Sequence, residues 1–77
     1  MPRFFFHVMD GRALIDHEGT EVPDAQAARA EALRTAGEIL RSEGTSHWAG
    51  DKWQMTVADE KGNTVFSLSF EVTDYGR

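Results

Sequence analysis

Apolar residues recur with period two near both ends of the chain and with a helical period in the middle. Residues 4–11 read FFFHVMDG. A half-buried strand alternates apolar and polar positions, yet Phe4, Phe5 and Phe6 follow one another without a break. Asp10-Gly11 is a two-residue hairpin signal, because a type I′ turn needs positive φ at both central positions. Such a turn sets Met9 opposite Arg12, Val8 opposite Ala13, His7 opposite Leu14, Phe6 opposite Ile15 and Phe5 opposite Asp16. Directly opposed residues share a face. Phe4, Phe6, Val8, Ala13 and Ile15 are therefore expected to cover the core. Phe5, His7, Met9, Arg12, Leu14 and Asp16 are expected on a mixed second face.

A turn-rich segment, HEGTEVPD, leads to a helix over residues 24–43. Asp24 is its expected N-cap, accepting a hydrogen bond from an orphan backbone N–H. The segment AQAARAEALRTAGEILRSE is rich in strong helix formers. At 100° per residue, Ala25, Ala28, Ala32, Ala36 and Ile39 make one stripe, with Leu33 and Leu40 along its border. Arg29 falls inside that stripe and has to snorkel or find a carboxylate. A stripe of small side chains can lie close to a sheet that supplies the bulk. Residues 53–72 meet this need, with Trp53, Met55 and Val57 alternating against Gln54, Thr56 and Ala58. After the loop DEKGN come Phe66, Leu68, Phe70 and Val72, alternating with Val65, Ser67, Ser69 and Glu71.

The expected fold is α+β: a ββαββ unit, with one helix on one face of an antiparallel four-stranded sheet. It divides into a hairpin over 1–17, the helix, a connection over 44–52, a hairpin over 53–72 and a frayed tail over 73–77. Strand order across the helix is left open by the pattern. Two five-residue segments, DHEGT at 16–20 and DEKGN at 59–63, echo each other. Both read as an aspartate opening a tight turn closed by glycine.

Composition narrows the functional classes. The 77 residues include no cysteine, which excludes disulfides and thiolate metal sites and fits a reducing compartment. A formal net charge of −5, with 13 acidic against 8 basic residues scattered singly, argues against nucleic-acid binding. The N-terminus lacks the long apolar region and cleavage site of a signal peptide. No apolar run approaches the roughly 20 residues that span a bilayer. A cytoplasmic location without membrane contact is the expectation.

Candidate chemistry is sparse. His7, His17 and His47 have neither the i,i+4 helical spacing nor the His-x-His strand spacing that would put two imidazoles on one metal. Asp16, Glu18, Glu21 and Asp24 lack the frame of a calcium loop, and a solvated turn followed by a helix cap explains them better. Ser42, Ser46, Ser67 and Ser69 sit in no nucleophile elbow, and the 7 glycines form no phosphate loop. The reading is a non-enzymatic protein with no cofactor and no metal. An apolar patch framed by polar groups on the second sheet face is the sharper candidate, since such patches mark contact surfaces. Its residues are Phe5, His7, Met9, Leu14 and Val65, with Trp48 from the connection either folding back as a lid or exposed to a partner. Open strand edges offer a second route to pairing. The expected partner is a second copy, giving a homodimer or higher homo-oligomer, or another protein.

Three segments in order, MPRFFFHVMDG, DHEGTEVPD and AARAEALRTAGEIL, resemble a family of small bacterial proteins known only as a domain of unknown function. Its members share an M-P-aromatic-F-F-H opening, a D-G turn, a D-x-E-G-x-E-x-P-D loop and a helix containing A-R-x-E-A. The likeness covers residues 1 to 40 by motif and the rest by pattern, and it implies no catalytic residue and no cofactor. Phe4 to Gly11 and Asp24 to Ala32 also resemble, more faintly, the opening of HicB-type antitoxins. That likeness would imply a regulator binding a partner protein. It departs in lacking a third strand within HEGTEVPD and a DNA-binding extension after the domain. An accessory subunit of an enzyme is the remaining alternative.

Overall fold

A computed structural model describes residues 1–43, 52–71, 73 and 75. Along the chain, β1 (Arg3–Met9), β2 (Ala13–Leu14) and β3 (Thr20–Glu21) precede α1 (Ala25–Glu43), and β4 (Lys52–Ala58) and β5 (Thr64–Glu71) follow it. The fold is α+β, with one helix packed on one face of an antiparallel sheet. Strand order is β2-β1-β4-β5, and β3 also pairs with β1. β1 is thus central, running beside β4 from Phe5↔Ala58 to Met9↔Gln54. The segment before the helix, expected to hold no strand, contributes β3 through Arg3↔Glu21 and Phe4↔Thr20.

The first hairpin differs from its expected register by one residue. Met9 pairs with Ala13 and Val8 with Leu14, so three residues rather than two make the turn. Gly11 takes φ 106° within it, and the Asp10 N–H donates to the Arg12 carbonyl at 3.2 Å. A one-residue slip moves every side chain to the other face of a strand. Leu14 consequently shares the face of Val8, and Ala13 that of Met9, the reverse of the expected assignment. Ile15, expected in the core, lies beyond the end of β2 and is 53% exposed. With the longer turn, the Asp16 carboxylate accepts from the backbone N–H of Phe6, a bond that competes with two-residue turn chemistry.

The helix begins as expected. Asp24 Oδ1 accepts from the Ala27 N–H at 2.8 Å, the geometry of an N-cap bonding the third helical residue. Ala28, Ala32 and Ala36 are fully buried against Phe4, Trp53, Met55 and Val57. Small helix residues let the two layers approach, and the sheet's large side chains fill the interface. Phe6, Val8, Ile39, Leu40, Phe66, Leu68 and Phe70 pack around this centre, joined by Val22. Trp53 stacks on Phe70 with ring centroids 5.6 Å apart.

Two expectations for the helix need correction. Leu33 is 51% exposed. It lies 100° around the helix from Ala32, outside a buried stripe kept narrow by its alanines. Arg29 neither reaches a carboxylate nor simply snorkels; its guanidinium carbon sits 5.2 Å from the centroid of the Phe66 ring. That cation–π contact neutralises the apparent conflict of a charge beside an apolar stripe.

Candidate functional site

Successive residues of a strand point to opposite faces, so Arg3, Phe5, His7 and Met9 form one row on the side of β1 away from the helix. Their cross-strand neighbours on β4 are Ala58, Thr56 and Gln54, and Ser67 and Ser69 continue the same face on β5. The centre of this second face is therefore polar. Ala58 is buried beside Phe5, and a bulge between Val57 and Ala58 shifts the register at the start of β5, next to Val65.

The loop between β2 and β3 is fastened to the row on β1. Asp16 Oδ2 accepts from the Phe6 N–H at 3.1 Å, taking the place of a strand carbonyl where the ladder is interrupted. Asp16 Oδ1 accepts from the Glu18 and Gly19 N–H groups, each at 3.1 Å. The Asp16 N–H donates to His7 Nδ1 at 3.1 Å, so that nitrogen carries no proton in this arrangement. His7 in turn stacks on Phe5, with centroids 6.5 Å apart and planes 10° from parallel. Arg3 closes the other end: Nη1 donates to the Glu18 carbonyl at 2.8 Å and Nη2 to Glu21 Oε2 at 3.2 Å.

Partial burial pushes the Asp16 carboxyl up, but three bonds, from the Gly19, Phe6 and Glu18 N–H groups, hold it below the ordinary aspartate range. Asp59 repeats the device in the second hairpin. Its Oδ1 accepts from the Lys61 and Asn63 N–H groups, each at 2.9 Å, and its carboxyl is likewise lowered, the Asn63 bond leading. The two segments that echo in the sequence are thus the same turn chemistry, closed by Gly19 at φ 74° and Gly62 at φ 87°.

Space separates the two glycines. A Cβ on Gly19 would lie 2.7 Å from Arg3 Cγ and 2.9 Å from Phe5 Cε2, whereas one on Gly62 would meet nothing within 4 Å. Gly62→Ala is expected to cost about 1 kcal/mol, the left-handed backbone penalty alone, and Gly19→Ala about 2–3 kcal/mol, strain and clash together. Urea midpoints of the two variants check this; equal losses would mean that the loop moves away from β1 without resistance.

Of the six residues expected to form a contact surface, the five described do not assemble as one patch. Phe5 and His7 share a row but are half-buried under the 16–19 loop. Met9, on the same row, is 49% exposed, and Val65, across the sheet, is 41% exposed. Leu14 is 45% exposed on the opposite face, a correction that follows from the hairpin register. Trp48 lies outside the described residues, as does His47. Among the described residues, no group of three or more His, Asp or Glu is placed to hold a metal. Nor, among them, is any helix long and apolar enough to cross a membrane.

Sequence reasoning treated strand edges in general terms and missed which one is open. With the order β2-β1-β4-β5, no described strand pairs with the outer side of β5. Its eight residues, TVFSLSFE, contain no proline and no lysine, and Glu71 is the one charge. Phe66, Leu68 and Phe70 point toward the helix yet remain only half-buried. The signal was available in the sequence as an alternating run uncharged from Thr64 to Phe70, but an edge strand and an interior strand share that pattern.

Residues 3–71 match the model of DUF6894, a domain of unknown function, and the chain belongs to that family. No curated protein and no solved structure matches the chain.

Proposed function

We propose that this member of a family of unknown function is a non-catalytic protein-contact module that adds a partner's strand along β5. One observation carries the reading: an outer edge of β5 whose one charge, Glu71, stands at its end, beside an apolar row that remains partly exposed. An exposed edge presents a line of backbone N–H and C=O groups that another chain can pair with, and pockets for alternate side chains give specificity. The second sheet face is a weaker surface, because its own loop occupies Phe5 and His7 and its centre is Gln54, Thr56, Ser67 and Ser69. The non-catalytic part of the reading is supported by what the bonded carboxylates do. Asp16, Asp24 and Asp59 all accept from backbone N–H groups of turns or the helix start.

Photo-crosslinking in cells of the source organism tests the reading. A photoreactive residue is placed at Ser69 beside the edge, at Met9 on the β1 row of the second face, or at Arg34 on the outer face of the helix. Adducts with any protein are expected from position 69, with far fewer from 9 and 34. Adducts confined to position 9 would move the contact to the sheet face and overturn the edge reading.

A further inference from the structure

We infer that the partner is a second copy of this chain, paired antiparallel along β5 about a twofold axis at Leu68; the inference rests on the edge reading above. Three observations carry it. The first is the sequence of the edge itself. Residues 66–70 read F-S-L-S-F, a palindrome. Antiparallel pairing centred on Leu68 sets Leu68 against its own counterpart, Phe66 against Phe70 and Ser67 against Ser69. A twofold interface requires this self-complementarity, because each residue must suit the one that its symmetry mate meets.

The second is the direction of the backbone. In an antiparallel strand, alternate residues turn their N–H and C=O to opposite sides. The Phe6 N–H goes to Asp16, away from β4, so the bonded pairs between β1 and β4 are Phe5–Ala58, His7–Thr56 and Met9–Gln54. β4 then turns Trp53, Met55 and Val57 toward β5, where they meet Phe70, Leu68 and Phe66. Within residues 66–70 of β5, those whose backbone groups point outward are Ser67 and Ser69, the two that the twofold axis would pair. Leu68 with its mate becomes a non-hydrogen-bonded pair, the closer of the two kinds, where side chains meet most directly.

The third is the unfinished apolar surface on the helix side. Arg29 over Phe66 shows which flank of α1 overlooks β5, and Leu33, four residues on, lies on that flank with half its surface exposed. An axis perpendicular to the sheet puts both helices on one side. The Leu33 flanks and the Phe66, Leu68, Phe70 rows of the two copies would then face each other across the junction. The bulge near Val65 lies at one end of the strand and leaves 66–70 regular.

Light scattering across a dilution series, with far-UV circular dichroism to confirm folding, tests the inference. The wild type is expected at twice the chain mass. Ser67 and Ser69 project from the exposed second face, so charges there leave the core untouched. Ser67→Lys with Ser69→Lys places like charges opposite one another at both pairs and is expected to weaken the dimer about tenfold. Ser67→Lys with Ser69→Glu places opposite charges there and is expected to keep it. Mixing the double-lysine chain with Ser67→Glu, Ser69→Glu is expected to restore twice the chain mass. A wild-type monomer throughout would overturn the second-copy inference, while adducts to another protein from position 69 would leave the edge reading standing. A dimer indifferent to the double-lysine change, or one lost equally in the lysine–glutamate chain, would overturn the register about Leu68.

Discussion

Replacing Trp53 by alanine is expected to leave the protein largely unfolded at room temperature. Trp53 is buried at the centre of the helix–sheet interface and stacks on Phe70. Truncating a large aromatic in a packed core costs about 3–5 kcal/mol, the lost transfer energy and the cavity together. A chain of this size has little reserve, since a core in this range supplies only about 3–5 kcal/mol of net stability. Ile15→Ala is the matched comparison: the side chain is 53% exposed beyond the end of β2, and the loss is expected within about 0.5 kcal/mol. Thermal melts by circular dichroism read both. A Trp53→Ala protein that still melts cooperatively within a few degrees of wild type would show that the helix is held by something other than this interface.

Asp16→Asn is the second large effect, expected to cost about 2 kcal/mol near neutral pH, because an amide N–H₂ must now face a backbone N–H that a carboxylate oxygen accepted. The pH dependence has a definite sign. The folded carboxyl lies below its ordinary value of 3.8, so the protein gains stability from it wherever the unfolded chain would also be ionised. That contribution is complete above the ordinary value and is lost as the pH falls through the lowered folded one. The stability gap between wild type and Asp16→Asn is therefore expected to narrow in acid. Urea midpoints at neutral pH and at successively lower values measure it; a gap that stays constant would mean that the carboxylate's charge contributes nothing to fastening the loop.

The parts of the fold that depend on local periodicity were legible in the chain. Asp24 caps the helix, the alanine stripe is buried at Ala28, Ala32 and Ala36, and Trp53, Met55 and Val57 face it. What failed depended on competition between local signals. Asp10-Gly11 favours a two-residue turn, but in the three-residue register that forms, the Asp16 carboxylate six residues later accepts from the Phe6 N–H. Once the register moved, Leu14 and Ile15 moved with it. Leu33 was misplaced for a different reason: a wheel assigns an angle, while the width of the buried arc depends on how closely the helix sits, which the alanines set. The pairing of β1 with β4 was beyond reach, since nothing local distinguishes it from other orders of the same hairpins. The candidate contact surface fared accordingly. Phe5 and His7 were correctly put on one row, but a loop reading as solvent-exposed turn chemistry proved to lie against them.

The loop fastened by Asp16 also bears on how far assembly can proceed. A sheet with two equivalent edges can add copies without end and grow into a fibre. Here the outer side of β1 is occupied by two strands of two residues each, separated by an excursion in which a side-chain carboxylate replaces the ladder. Neither fragment is long enough to template another chain, and no continuous row of backbone groups runs between them. Among the described strands, only the β5 border offers a continuous row for pairing, and in the proposed pairing a junction of that border with itself would use up the edges of both copies. Growth would then end at two copies, and the same aspartate that shapes the loop would act as the chain terminator of that assembly.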